Sequence, residues 1–327
     1  MPRIRRARRE DGAAIYAAHA AAIRVTCRSH YAAADIEAWA GRLGPESYGE
    51  DIERRDILVA EEVGRVLGFG VLDAEESQVR AVYVHPHAGR CGVGARLLAV
   101  LETIARLRGV TELHLDSSLN AVAFYAAAGW RRRHDTIHTF PGGHDIPCVV
   151  MTKTVPPARL AVRDETPGDV PAIRTVERLA FERDGEADLV DRLRAAGALS
   201  LSLVATLDDD VVGHVAFSPV VVRDASIRML GLAPVAVRSE YQRCAIGARL
   251  VEEGLARARE RSVDAVVVLG HPEYYPRFGF VTASTFGLRY PAPVPDQAFM
   301  AAELVPHALA RVTGPVHYHA AFDALTE

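Results

Sequence analysis

Tyr83-Val84-His85-Pro86-His87-Ala88-Gly89-Arg90-Cys91-Gly92-Val93-Gly94 reads as a β-strand that stops at a proline and passes through glycines into a helix. Downstream, Val93, Leu97, Leu98, Leu101, Ile104 and Leu107 recur at three- and four-residue spacing, so a helix is expected from Cys91 to Arg108, stopped by Gly109. The first backbone N–H groups of such a helix lack partners and carry the positive end of its dipole, which makes its head a seat for a diphosphate. Glycine matters there because a Cβ would keep the phosphate at a distance. Taken alone, about half of such glycine pairs are merely turns or caps.

The stretch is not alone. Gly92-Val93-Gly94-Ala95-Arg96-Leu97 is echoed by Ala245-Ile246-Gly247-Ala248-Arg249-Leu250, 153 residues later (247 − 94). Tyr125-Ala-Ala-Ala-Gly129-Trp130 is echoed by Tyr275-Pro-Arg-Phe-Gly279-Phe280, 150 residues later (275 − 125). Two motifs sharing nearly one offset indicate a duplicated domain. The seam falls near Val155-Pro156-Pro157-Ala158, because adjacent prolines donate no backbone hydrogen bonds and hold the chain extended. The expected domains are therefore residues 1–155 and 159–327. Each opens alike: Ile4-Arg5-Arg6-Ala7-Arg8-Arg9-Glu10-Asp11 resembles Leu160-Ala161-Val162-Arg163-Asp164-Glu165-Thr166, an alternating strand before an acidic helix start.

Ahead of the long helix, strands are expected at residues 57–61, 66–72 and 79–84, and after it a strand at 113–116 and a short helix at 119–128. The second half repeats the order at 202–206, 211–222, 227–237, a helix at about 244–261, and 265–269. Each half is thus α+β, a mixed, mostly antiparallel twisted sheet flanked by helices. The tail after Phe280 is expected to have no counterpart in the first half. Its five prolines from Pro291 to Pro315 exclude one continuous helix, leaving an irregular, strand-containing extension.

Composition bounds the function. At 327 residues with 49% apolar and 24% charged, the chain is an ordinary globular one with room for two cores. A net charge of -4 supplies no global positive field for a polyanion, so nucleic acid is not an expected partner; the arginines from Arg3 to Arg9 read as a solvated first strand. No apolar stretch reaches the roughly 20 residues needed to cross a bilayer, so no membrane association is expected. Cys27, Cys91, Cys148 and Cys244 are far apart and fit neither a CxxC pair nor a zinc spacing, which suits a reduced cytoplasmic protein. His85 with His87, and His317 with His319, lack an evident third ligand, so no metal site is expected. Asp208-Asp209-Asp210 reads as a turn between strands.

The segment His85-Pro86 through Gly94 is similar to the acetyl-coenzyme A signature of the GCN5-related N-acetyltransferases (GNAT), usually written Q/R-x-x-G-x-G/A. Leu115-Asp116-Ser117-Ser118-Leu119-Asn120 leading to Tyr125 and Gly129-Trp130 resembles that family's following strand, helix and Y-x-x-x-G-F ending. In the second half Leu232 to Gly247, Val268 to Phe280 and Gly314-Pro315-Val316-His317-Tyr318 look like a branch of predicted acetyltransferases. The resemblance implies two tandem GNAT domains and acetyl-CoA as cofactor, with acetyl transfer to a small primary amine or a peptide N-terminus.

It also implies which residues bind. In the first half these are Tyr83, Val84, Gly89, Arg90, Cys91, Gly92, Val93, Gly94, Ala95 and Asn120; in the second, Val235, Val237, Gln242, Arg243, Cys244, Ala245, Ile246 and Gly247. Neither loop is complete: Gly89 stands at the Q/R position, and Ala245 replaces the first glycine. If that residue needs positive φ, alanine costs on the order of 1 kcal/mol, which favours the first domain as the sounder site.

An amine attacks a thioester only when neutral, so the chemistry calls for a base and for an acid at the departing sulfur. The family resemblance makes Tyr125 and Tyr275 that acid, against the alternative of core aromatics. Asp116 is a candidate base, or caps the next helix. Asn120 touches the cofactor or caps its own short helix. A strand N–H near Val84 or Val237 would meet the oxyanion. The rival to an enzyme is a binding module that holds acetyl-CoA without turnover.

Overall fold

The computed structural model describes residues 2–140 and 142–325. The chain divides into two compact units, one ending at Ala158 and the other beginning at Arg159. The first unit thus extends past residue 155. Arg106 explains why: its Nε donates to the Pro156 carbonyl at 2.7 Å and its Nη2 to that of Pro157 at 3.1 Å, fastening the diproline to the long helix.

In the first unit the order is β1 (Arg3–Arg6), α1 (Gly12–Thr26), α2 (Ala33–Ala40), α3 (Ser47–Arg54), β2 (Asp56–Glu62), β3 (Arg65–Asp73), β4 (Gln78–Val84), α4 (Val93–Leu107), β5 (Glu112–Ser118), α5 (Val122–Ala127), β6 (Arg131–Phe140) and β7 (His144–Thr154). The strands lie in the order β1-β2-β3-β4-β5-β7-β6. Of these pairs only β4–β5 is parallel.

The second unit runs β8 (Leu160–Asp164), α6 (Val170–Phe181), α7 (Gly185–Ala195), β9 (Leu201–Leu207), β10 (Asp210–Val222), β11 (Met229–Val237), α8 (Ile246–Glu260), β12 (Ala265–Leu269), β13 (Val281–Thr282), β14 (Leu288–Arg289), β15 (Phe299–Glu303) and β16 (Gly314–His317). Its strands pair β8-β9-β10-β11-β12-β15-β13, the order of the first unit, again with one parallel pair, β11–β12, along that path. The fold is α+β, two mixed sheets with flanking helices.

The expectation that residues beyond Phe280 lack a counterpart is corrected by this pairing. β15 joins β12 antiparallel as β7 joins β5, and β13 joins β15 as β6 joins β7. The resemblance is invisible in sequence because β13 is two residues long where β6 is ten. What the second unit adds is β16 on the far end of β10, with β14 beside it. It also lacks α5. Pro276 withholds a backbone donor, and Tyr275–Phe278 makes only a short helical turn.

The long helix buries its apolar stripe on the sheet in both units. Leu97, Leu98, Leu101 and Ile104 are at most 1% exposed, as are Leu250 and Val251. In the first unit the strand makes room: a Cβ on Gly70 would lie 2.7 Å from Leu101 Cδ1. In the second the helix makes room: a Cβ on Gly254, at the position of Leu101 (254 − 101 = 153), would lie 2.5 Å from the Phe217 ring.

The solvated first strand is also corrected. Arg5 is buried and bonds Asp11 and Glu61, while Arg6 bonds Asp56 from a side chain 11% exposed. A charge run in sequence does not reveal carboxylates that only strand pairing and the next turn bring up. Among the described residues, no helix is long and apolar enough to cross a membrane.

Candidate functional site

In each unit the parallel pair parts almost at once. β4 and β5 share one rung, Gln78 with His114. β11 and β12 share three, ending at Gly231 with Val267. On its other edge β4 stays paired with β3 to Val84, and β11 with β10 to Val237. One edge of each strand therefore runs on past its neighbour and opens a wedge bordered by main-chain amides and carbonyls. Tyr83, Val84, Val235 and Val237 lie on these stretches.

Each wedge leads to a helix head of one shape. Gly92 (φ 77°) and Ala245 (φ 61°) are left-handed N-caps, and Arg90 (61°) and Arg243 (63°) two residues earlier are left-handed too. Nothing lies within 4 Å of a Cβ placed on Gly92, so the backbone angle and not space calls for glycine there. The first helical bonds are Arg96 N–H to Gly92 O at 3.1 Å and Arg249 N–H to Ala245 O at 3.0 Å. The amides of Val93, Gly94 and Ala95, and of Ile246, Gly247 and Ala248, thus fall outside the helices' own ladders.

Strand end and helix head touch: Val84 Cγ2 is 3.4 Å from a Cβ placed on Gly94, and Val237 Cγ2 3.6 Å from one on Gly247. Gly89, Arg90, Cys91, Gln242, Arg243 and Ala245 are exposed, and Cys244 is buried. Gln242 Nε2 donates to the Val237 carbonyl at 3.2 Å, tying loop to strand, a bond Gly89 cannot make.

Tyr125 and Tyr275 are both buried, the first against Phe124 and Trp130, the second against Tyr274 and Phe280. Burial pushes Tyr275 up to about 12 and Tyr125 higher still. Tyr83 is likewise raised by burial.

Asp116 caps no helix; its Oδ2 meets His138 Nε2 at 3.0 Å. Asn120 spans to α1, Nδ2 donating to Thr26 Oγ1 at 3.3 Å and Oδ1 accepting from Cys27 Sγ at 3.4 Å. His19, on α1, packs 4.3 Å from the Tyr83 ring and touches Tyr48 Oη at 2.7 Å; burial lowers it to about 4, so it is neutral at pH 7.

At the second helix head a cavity of about 1160 Å³ is lined by Val235, Val237, Gln242, Arg243, Ala245, Ile246, Gly247 and Tyr275. Its wall also holds Tyr274 and Tyr318, which lie in the family-like segments but were given no role, and Glu186, Tyr290 and Phe322, which sequence reading missed. One signal pointed to Tyr274, its place beside Tyr275 as Phe124 stands beside Tyr125. Its hydroxyl is 3.1 Å from a Cβ placed on Gly247, while in the first unit the Phe124 ring is 3.5 Å from one on Gly94. Arg277 lies 4.9 Å over the Tyr274 ring. Tyr290 and Phe322 left no local signal because the fold brings them in from far along the chain.

Among the described residues, no group of three or more His, Cys, Asp or Glu is placed to hold a metal ion. His85 Nδ1 instead accepts from His87 N–H, and His319 Nδ1 from Ala321 N–H. Helix heads that each bare three outward amides, with arginine beside them and an open strand edge leading in, suit an elongated ligand that ends in phosphate.

Comparison with known proteins agrees with that geometry. A family model described as "Acetyltransferase (GNAT) domain" matches residues 27–154, and a second of the same description matches residues 161–283. The Escherichia coli K12 protein named "Uncharacterized N-acetyltransferase YhbS" is 44% identical over 165 residues, 50% of this chain and 99% of that protein. "Uncharacterized N-acetyltransferase YjhQ" of the same strain is 39% identical over 134 residues, 39% of this chain and 74% of that protein. Among solved structures, Escherichia coli YhbS in complex with CoA is 43% identical with a TM-score of 0.50, covering 52% of this chain and 96% of that one.

Proposed function

We propose, for a chain that belongs to the GNAT acetyltransferase family, that it moves the acetyl group of acetyl-CoA to a primary amine by direct attack. The observation that carries this reading is the parted parallel pair leading to a left-handed loop and an exposed helix head, present twice. Its kinship with a YhbS structure that holds CoA supports the choice of ligand.

When bound, acetyl-CoA supplies an activated thioester. Its diphosphate would be held by the amides of Val93 to Ala95 or of Ile246 to Ala248, with Arg90 or Arg243 alongside. Val84, Val235 and Val237 would offer main-chain groups along the open strand edge, with an N–H near Val84 or Val237 placed for the oxyanion. Tyr125 and Tyr275, kept protonated by burial, would give a proton to the departing sulfur. Asp116 would be a base in the first unit only after exchanging its His138 partner for the amine.

Gly92 holds its backbone without the strain Ala245 bears, which supports the first unit as the sounder binder; the cavity at the second head supports that unit as well. Four free cysteines suit a reducing, cytoplasmic setting.

Calorimetry with acetyl-CoA, followed by thiol release across an amine panel, tests the reading. Binding with acceptor-dependent thiol release is the expected result. Binding without release under any acceptor would replace the enzyme by a binding module, and absence of binding would remove both.

A further inference from the structure

Beyond the cofactor loop, the strand β11 and the segment from Leu269 to Arg277, the second unit's cavity takes its wall from two further places. α6 and α7 contribute Phe181, Glu186 and Leu189, and the tail contributes Tyr290, Tyr318 and Phe322. β16 sets the tail residues: His317 pairs with Val221 at the end of β10, and the next residue, Tyr318, turns its ring onto β11. A Cβ on Gly231 would lie 2.6 Å from that ring, so only glycine admits it. Gly231 is also the last residue of β11 paired with β12. The aromatic cluster therefore stands at the vertex where the strands part, with the helix head at the open end. Tyr318 meets Tyr290 at 5.6 Å and Phe322 at 5.0 Å between ring centroids, which gives this end of the cavity a continuous aromatic lining.

Charge at the same wall is sparse. Glu186 is the one carboxylate among the described residues lining the cavity, and it is 6% exposed. Arg183 Nε bonds both of its oxygens, at 3.1 and 3.0 Å. Arg183 already matches that charge, so the cavity offers an amine no unpaired carboxylate, and an acceptor with one amino group can enter neutral on its apolar body. A second cation on the same molecule would meet rings and arginines, and burying a charge that finds no counterion is costly.

Resting on the acetyl-transfer reading above, we propose that the second unit takes a hydrophobic monoamine, one primary amino group on an aromatic or branched apolar body, and turns away polyamines and basic peptides. Apolar rings give affinity for the body, and the lack of an unpaired carboxylate gives the discrimination. In the transfer the amine nitrogen forms its bond to the acetyl carbon, and the carbon–sulfur bond then breaks. Nitrogen gives up one proton and sulfur takes one, so no oxidant or further reactant enters.

The test uses the full chain carrying Tyr125→Phe, which suppresses turnover by the first unit, saturated with coenzyme A and titrated calorimetrically with 2-phenylethylamine, spermidine and a lysine-containing peptide. Thiol release from acetyl-CoA is then measured with the same three. Phenylethylamine is expected to bind and to show a kcat/KM at least about tenfold above the other two. Tyr290→Ala and Phe322→Ala should each lower its affinity and kcat/KM several-fold, Phe322→Leu should lower them less, and acetyl-CoA affinity should not move. Preference for spermidine or the peptide, or indifference of phenylethylamine to both alanine variants, with acetyl-CoA binding intact, overturns this proposal alone. Failure to bind acetyl-CoA overturns the acetyl-transfer reading beneath it.

Discussion

Gly92 and Ala245 hold one backbone conformation, φ 77° and 61°, at the heads of helices 153 residues apart (245 − 92), although only one of them is glycine. The loop's shape is thus set by the helix head it has to present, and the alanine bears the cost of a left-handed angle. Ala245→Gly is expected to stabilise the second unit by about 1 kcal/mol, less whatever glycine adds to the freedom of the unfolded chain, and Gly92→Ala to cost the first a similar amount. Each change corresponds to roughly 2–4 °C in a domain of this size, readable by scanning calorimetry. Gly92→Ala without a downward shift would refute the strain argument.

Gly94 and Gly247 differ in what crowds them. A methyl on Gly94 makes ordinary contacts of 3.4 and 3.5 Å, whereas one on Gly247 meets the Tyr274 hydroxyl at 3.1 Å. Gly94→Ala should therefore leave the fold intact, while Gly247→Ala should push Tyr274 aside and weaken acetyl-CoA binding to the second unit on the order of tenfold, about 1.4 kcal/mol. Adding Tyr274→Phe to Gly247→Ala removes the clashing oxygen and should recover most of that loss in a binding titration.

Tyr275→Phe and Tyr125→Phe keep the aromatic packing and remove the hydroxyl. Each is expected to lower kcat of its unit on the order of 100-fold with acetyl-CoA affinity unchanged. The same groups shape stability at high pH. Tyr275 is raised from about 10 when unfolded to about 12 when folded, so its contribution is complete below pH ~10 and lost as pH rises from there toward 12. Melting curves from pH 9 to 11 should fall less steeply for Tyr275→Phe than for the parent.

Each unit begins with a forked Arg–Asp bond: Arg5 with Asp11 at 2.7 and 2.9 Å, and Arg163 with Asp169 at 2.6 and 2.8 Å. The Arg163 bond holds Asp169 well below the usual carboxylate range. Burial by itself would raise Asp11, but Arg5 and the Arg8 amide bring it below its ordinary value. Both contributions are complete above about pH 4 and are lost as pH falls through the lowered folded values. Asp169 also accepts the Thr166 amide at 2.7 Å, so Asp169→Ala should cost roughly 1–2 kcal/mol at pH 7, and the penalty should shrink in melts taken toward pH 2.

Much of this architecture was legible in the residues. The Gly-x-Gly loop, the apolar stripe from Val93 to Leu107 and the shared offset near 150 residues announced two copies of one unit, because helix periodicity and glycine loops are local properties. The strands before each long helix were legible for the same reason. The partners of Arg5 and Arg6 were not, nor was the match of β13 and β15 to β6 and β7, because pairing joins residues that nothing local relates. Around the cavity, motifs singled out the loops, Tyr275 and the segment ending at Tyr318, and Tyr274 stood beside Tyr275, whereas Glu186, Tyr290 and Phe322 carried no local signal.

By itself the sequence determined the local parts: where strand gives way to helix, that main-chain amides are bared at the head, and that this happens twice. Only the tertiary structure decided that β11 leaves β12 after three rungs and that Tyr318 fills the angle beside Gly231. The physical reason is range. Backbone angle and helical period are settled within a few neighbouring residues, while the opening of a wedge and the lining of its vertex depend on strand register between segments far apart in the chain.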